Sequence, residues 1–174
     1  MIGSLKTLLF RPGGVDPLSF STEQHRNKKS ERLRILGAEE FWAFSSVRYA
    51  LRDSERLLQI KNGFPAHLFQ AMLRTFNLQE HALAVLLNIS MATFEQRVRE
   101  QRTLGTAASE RLDRIATVSH LAEKVFENRD AAVQWMASAN KAIGGSLPIL
   151  LCETEIGARQ VRRALRALDS GGIV

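Results

Sequence analysis

The sequence predicts an all-α protein, with a helix-turn-helix domain followed by a second, small helical domain. Three observations predict it. From Asp53 onward, apolar residues recur at helical spacing. Asparagine, glycine and proline break that periodicity at short intervals, at Asn62-Gly63, Pro65, Asn128, Gly144-Gly145 and Gly171-Gly172. No stretch reads as a convincing β-strand. Ile149-Leu150-Leu151 is compatible with an extended run, but it is too short to start a sheet alone. The expected organisation is an N-terminal extension over 1–52, partly disordered, the helix-turn-helix domain over 53–108, and the second helical domain over 109–174.

Composition narrows the function classes. The chain has 174 residues, 24 basic and 18 acidic, for a net charge of +6. That balance suits a polyanionic partner such as DNA. A single cysteine, Cys152, excludes an internal disulfide and fits a reducing compartment, so a cytoplasmic location is expected. No apolar run approaches the roughly 18 residues of a membrane span. The first ten residues lack the long apolar region and small-residue cleavage site of a secretion signal.

In chain order, residues 1–52 are poorly patterned. Pro12, Gly13, Gly14 and Pro17 interrupt the start, and residues 24–34 (QHRNKKSERLR) are polar and basic. Such a run reads as a solvated or disordered arm. Residues 38–51, with Phe41, Trp42, Phe44, Val47 and Tyr49, are more apolar and suit a helix that packs on the rest of the chain or on a partner. Asp53 or Ser54 caps a short helix holding Leu57, Leu58 and Ile60; Pro65 opens the next, along which Leu68, Phe69, Met72, Leu73 and Phe76 repeat.

Residues 78–101 form the most informative local pattern. Residues 78–88 make a helix with Leu83, Leu86 and Leu87 inward and Ala84 small where a second helix crosses. Asn88 tolerates the left-handed backbone of a tight turn, Ile89 plugs that turn, and Ser90 caps a helix running to about Gln101. Phe94 and Val98 point inward there. The opposite face carries Ala92, Thr93, Gln96 and Arg99, with Arg97 on its flank. Two short helices joined by a tight turn, the second polar and basic, make a helix-turn-helix. The DNA-facing candidates are Ser90, Thr93, Gln96, Arg97 and Arg99.

Residues 103–108 read as a linker. A long helix follows over 109–126, with Leu112, Ile115, Ala116, Ser119, Ala122 and Phe126 along one face, then a shorter one over 131–137 carrying Trp135. Gly144-Gly145 allows a sharp turn. Pro148 removes a donor and biases Leu147 to an extended shape. Thr154 caps the last helix, with Glu155 favouring the positive end of its dipole. Gly157, Val161, Ala164, Leu165 and Leu168 line one face of that helix, and Arg159, Arg162, Arg163 and Arg166 stripe another. Gly171 stops it, and Gly172, Ile173 and Val174 form an apolar tail that frays or docks on a partner.

Little of this suits catalysis. His25, His67, His81 and His120 are scattered, and none pairs with another His or Cys at metal-ligand spacing. Cys152 sits in an apolar run as a small core residue. Glu153 and Glu155 flank a helix start. The expectation is no enzyme activity, no metal and no cofactor.

The stretch 135–174 resembles the toxin-binding domain of the Xre/MbcA/ParS-like antitoxins. Trp135, Asn140, Gly144-Gly145, Pro148, Thr154, Gly157, Val161, Leu165 and Gly171 carry the likeness, which with the helix-turn-helix covers about residues 53–174. The resemblance implies an antitoxin that binds a RES-domain toxin, a consumer of NAD⁺, and blocks its active site with the C-terminal region. It also implies a homodimer that binds double-stranded operator DNA and represses its own operon, with no membrane involved. The toxin-binding candidates are then Gly144, Pro148, Arg159, Arg162, Arg163, Arg166, Gly171, Gly172, Ile173 and Val174. Asn88 stands where the family has glycine, and Arg97 where an apolar residue is common. The competing readings are a transcriptional or partition-type DNA-binding regulator without a toxin, and a helical interaction protein that binds no DNA.

Overall fold

A computed structural model describes residues 17–79, 82, 85, 86 and 88–171, with side chains at 28, 31–33 and from 35 onward. The described residues are helical. Helix α1 is Pro17–Ala50, α2 Asp53–Asn62, α3 Ala66–Phe76, α4 Met91–Arg99, α5 Thr106–Phe126, α6 Arg129–Met136, α7 Pro148–Leu151 and α8 Glu155–Asp169. Ala82, Val85 and Leu86 are helical between α3 and α4, and a 3-10 turn, Lys141–Ile143, links α6 to α7. Contacts divide the chain into Met1–Arg32 and Leu33–Val174. Among the described residues, no helix is long and apolar enough to cross a membrane.

Helix α5 is the axis of the larger unit. Leu112, Ile115, Ala116, Val118, Ser119 and Ala122 are all fully buried on it, because α2, α6 and α8 pack around it. The helix-turn-helix half is closed by a short backbone clasp. Leu104 N–H donates to the Phe64 carbonyl at 2.8 Å, and Ala66 N–H to that of Arg102 at 3.1 Å. Gly63 makes the clasp possible: its φ is +79°, and a Cβ there would lie 2.3 Å from the Leu104 carbonyl oxygen. Phe64 N–H is taken up by Ser109 Oγ at 2.8 Å, which pins the clasp to α5.

Two expectations differ from what is found. The basic run 24–34, expected as an arm in a partly disordered extension, lies inside α1, whose second half enters the core. Phe41 is fully buried, Trp42 nearly so, and each packs against Phe76, with ring centroids 5.4 and 6.5 Å away. The physical reason is that the second half of α1 buries Phe41 and Trp42 within this chain and packs Phe44 on Phe64. The run 149–151 is the single-turn helix α7, not extended. Pro148 occupies its first position, where proline's missing N–H costs nothing, and Leu150 and Leu151 N–H both donate to the Leu147 carbonyl.

Candidate DNA-facing helix and partner-binding surface

Helix α4 is set by its cap. Asn88 takes the left-handed conformation, φ +52°, that the tight turn demands. Ser90 Oγ accepts the Thr93 N–H at 3.2 Å and lies 2.8 Å from the Thr93 hydroxyl. Phe94 is buried and Val98 half-buried, fixing which face looks out. Gln96 and Arg99 are exposed on that face. Gln96 Nε2 donates to Glu100 Oε1 at 2.8 Å, and this bond, with Arg102 behind it, holds the Glu100 carboxyl below its usual range. Arg97 points back: half-buried, it donates to the Thr103 carbonyl at 2.6 Å. Its head braces the linker. Ser90 and Thr93 build the helix start, Arg97 bonds the linker and Gln96 bonds Glu100, so Arg99 is the exposed candidate on that face with no such bond among the described residues.

The C-terminal surface is equally constrained. Asn140 Oδ1 accepts the Ala142 N–H at 2.9 Å, and its carbonyl takes the Gly145 N–H at 2.8 Å. Gly144 and Gly145 have φ of +74° and +76°. Pro148 is buried at the start of α7. Thr154 Oγ1 caps α8 through the Gly157 N–H at 3.1 Å. Gly157 is where α7 and α8 touch: a Cβ there would lie 2.0 Å from the Leu151 carbonyl oxygen.

The four arginines of α8 do not serve one face. Arg163 borders a groove of about 530 Å³ floored by Ala142, Ile143, Ala164 and Ala167, with Gly144 on its far wall. Arg162 and Arg166 border a different cleft, towards α2. Arg159 is exposed. Gly171 is exposed at the helix end, with φ +73°. Gly172, Ile173 and Val174 lie outside the described residues, as do Leu83, Ala84 and Leu87.

An ion-pair network crosses beneath that cleft. Asp113, on the buried face of α5, accepts Arg48 Nε at 2.6 Å and a second bond from Arg56. Arg48 also donates to Gln59 and lies 5.0 Å over the Phe64 ring. The bond from Asp113, ahead of the opposing cost of burial, pushes the Arg56 guanidinium above its usual pKa. Nearby, Arg114 Nη1 donates to the Glu153 carbonyl at 2.9 Å and Nη2 to Glu110 at 3.1 Å, with Glu155 3.7 Å from Nε. Glu155 also pairs with Arg162. Sequence reading missed this network; its one trace was an acid, Asp113, beside Leu112 on an apolar helix face. Cys152 is fully buried, and burial pushes its thiol up to about 12, so it holds its proton and is no nucleophile.

Residues 55–116 match the Antitoxin Xre-like helix-turn-helix domain, and residues 121–171 match the Antitoxin Xre/MbcA/ParS C-terminal toxin-binding domain. The chain belongs to the Xre/MbcA/ParS-like antitoxins. It is 28% identical over 132 residues to the Prs ADP-ribosylating antitoxin of Sphingobium sp. (strain YBL2), covering 71% of this chain and 83% of that one. It is 28% identical over 83 residues to the Antitoxin Xre of Pseudomonas putida, covering 48% of this chain and about half, 52%, of that relative. In this antitoxin both matched domains draw on α5: the first match ends within that helix and the second begins five residues later within it. The Asp113 network lies in and before the first match, whereas Arg114, bonded to the Glu153 carbonyl and near Glu155, crosses the seam between the helix-turn-helix domain and the toxin-binding domain. Helix α1 precedes both matches.

Proposed function

We propose that this antitoxin neutralises a RES-domain, NAD⁺-consuming toxin through α8 and residues 171–174, and as a homodimer binds double-stranded operator DNA through α4 to repress its own operon. The observation that carries the reading is the presentation of α8. Its buried face, Gly157, Ala158, Val161, Ala164 and Leu165, locks it onto α5 and α7, while Arg159, Arg163 and Arg166 stay exposed. A helix so anchored offers a toxin a preorganised cationic surface, which lowers the ordering cost of binding. The residues beyond Gly171 then have a fixed launching point.

Co-expression with the RES-domain protein of its operon tests the first half. The full chain protects cells, and a chain ending at Ser170 does not; equal protection by both overturns the role of the tail. A gel shift on the upstream DNA tests the second half. Binding weakens steeply with salt, and Arg99→Ala weakens it further, by about 1–3 kcal/mol for a base contact. A shift insensitive to salt and to Arg99→Ala refutes α4 as the DNA-facing helix.

A further inference from the structure

We propose that the toxin-contacting surface crosses the seam onto α2, so that the toxin is held between Leu57 and the Glu155–Arg162 edge of α8. This rests on the toxin-inhibition reading above. A cleft of about 330 Å³ runs between α2 and α8 with α5 as its floor. It continues into a second hollow of about 440 Å³ that shares Asp53, Arg56, Thr117, Glu155 and Arg162 and reaches Tyr49.

The floor's charges answer one another. Arg56 bonds Asp113, and Arg114 bonds Glu110 and approaches Glu155. A small ion finds its work already done there. The rim differs. Leu57, on the α2 wall, is 58% exposed. A large aliphatic side chain held in water on a cleft wall is a group that gains when a protein covers it.

Two observations select the toxin as that protein. Helix α8 lies wholly within the residues matched by the toxin-binding domain, so the cleft is continuous with that surface. Along the α8 edge Glu155 answers Arg162, while Arg166 lines the adjoining hollow and Arg159 is exposed on the same helix, so the edge is cationic on balance. The complementary toxin element carries an apolar side chain to fill the gap beside Leu57 and a carboxylate for Arg166. Leu57 belongs to the helix-turn-helix match, so the toxin would touch the DNA-binding module directly.

Neighbouring leucines on α2 provide the test. Leu57 and Leu58 are similarly exposed, 58% and 61%, but only Leu57 lines the cleft. Binding of the full-length antitoxin to its purified RES-domain toxin is measured by calorimetry for wild type, Leu57→Glu, Leu57→Ala, Leu58→Glu and Arg162→Glu. Thermal melts of each free variant check folding. Leu57→Glu weakens binding about tenfold or more, Leu57→Ala weakens it less, and Leu58→Glu leaves it unchanged. If Leu57→Glu and Leu57→Ala bind like wild type while Arg162→Glu is impaired, the extension onto α2 is wrong and the toxin reading stands. Equal losses at Leu57 and Leu58 also overturn the cleft. A wild-type chain that does not bind the toxin overturns both proposals.

Discussion

Asp113 holds two guanidiniums from two different helices, and Arg48, one of them, is only 1% exposed. A buried pair contributes little net stability over an apolar substitute, but removing one partner leaves the other charge stranded. Asp113→Asn keeps the shape and removes the charge, so it isolates that penalty. The expected loss is about 3–5 kcal/mol, read as a lower urea midpoint at unchanged m-value; a loss at the level of an exposed salt bridge refutes the network's role. Cys152 supports a second test. Its thiol titrates near 12 when folded, against 9.0 for the free group. Folded protein at pH 8 therefore resists aromatic disulfide reagents, and urea-unfolded protein reacts at once. The sign for stability follows: Cys152 contributes no pH dependence below about 9, and stability declines as pH rises from there towards 12, since only the unfolded thiol ionises. Fast labelling of native protein, or a flat stability curve across that range, contradicts the buried assignment.

Between elements, α7 and α8 meet closely at Gly157. Gly157→Ala sets a methyl carbon 2.0 Å from the Leu151 carbonyl oxygen, which is backbone and cannot rotate aside. The two helices must part, at a cost of about 1–3 kcal/mol, the range for overpacking. Gly144→Ala meets open space, and its cost is the backbone penalty for φ +74°, about 1–2 kcal/mol. The two variants are told apart by toxin binding at matched stability: Gly157→Ala displaces the start of α8, so it loses more affinity. Equal affinities refute Gly157 as the positioner of α8. The caps of these elements were legible in the sequence because caps are local. Ser90 and Thr154 each bond a backbone N–H three residues on. Helix α7 was not, because four residues carry no periodicity and only the proline marks its start. The inward turn of Arg97 was hidden too, since its acceptor, the Thr103 carbonyl, belongs to a linker whose path the sequence does not specify.

At the scale of the molecule, the matched domains are not the folding unit. Helix α1 lies before residue 55, where the first match begins, yet it supplies Phe41, Trp42, Ser45 and Arg48 to the core. It also ties both domains together. Trp42 packs on Phe76 beneath the helix-turn-helix, Arg129 of α6 bonds Glu39 at 3.2 Å, and Tyr49 meets His120 of α5 with ring centroids 4.8 Å apart. The sequence showed aromatics at 41, 42, 44 and 49 without showing their destination, because their partners Phe64, Phe76 and His120 lie 20 to 71 residues further along the chain and periodicity reports only a face. A chain beginning at residue 53 tests the point. It loses Phe41 and Trp42, each worth about 3–5 kcal/mol when truncated in a core. It also leaves Asp113 with Arg56 alone and exposes Phe76. Domain stability is about 5–15 kcal/mol in total, so those losses consume most of it. The expected outcome is loss of the cooperative melt, with helical circular dichroism that declines gradually on heating. A chain beginning at Leu33, the start of the larger compact unit, keeps a single cooperative transition. Cooperative melting of the shorter chain near the temperature of the longer one would show that α1 is an appendage and that its aromatics only rest on a core complete without them.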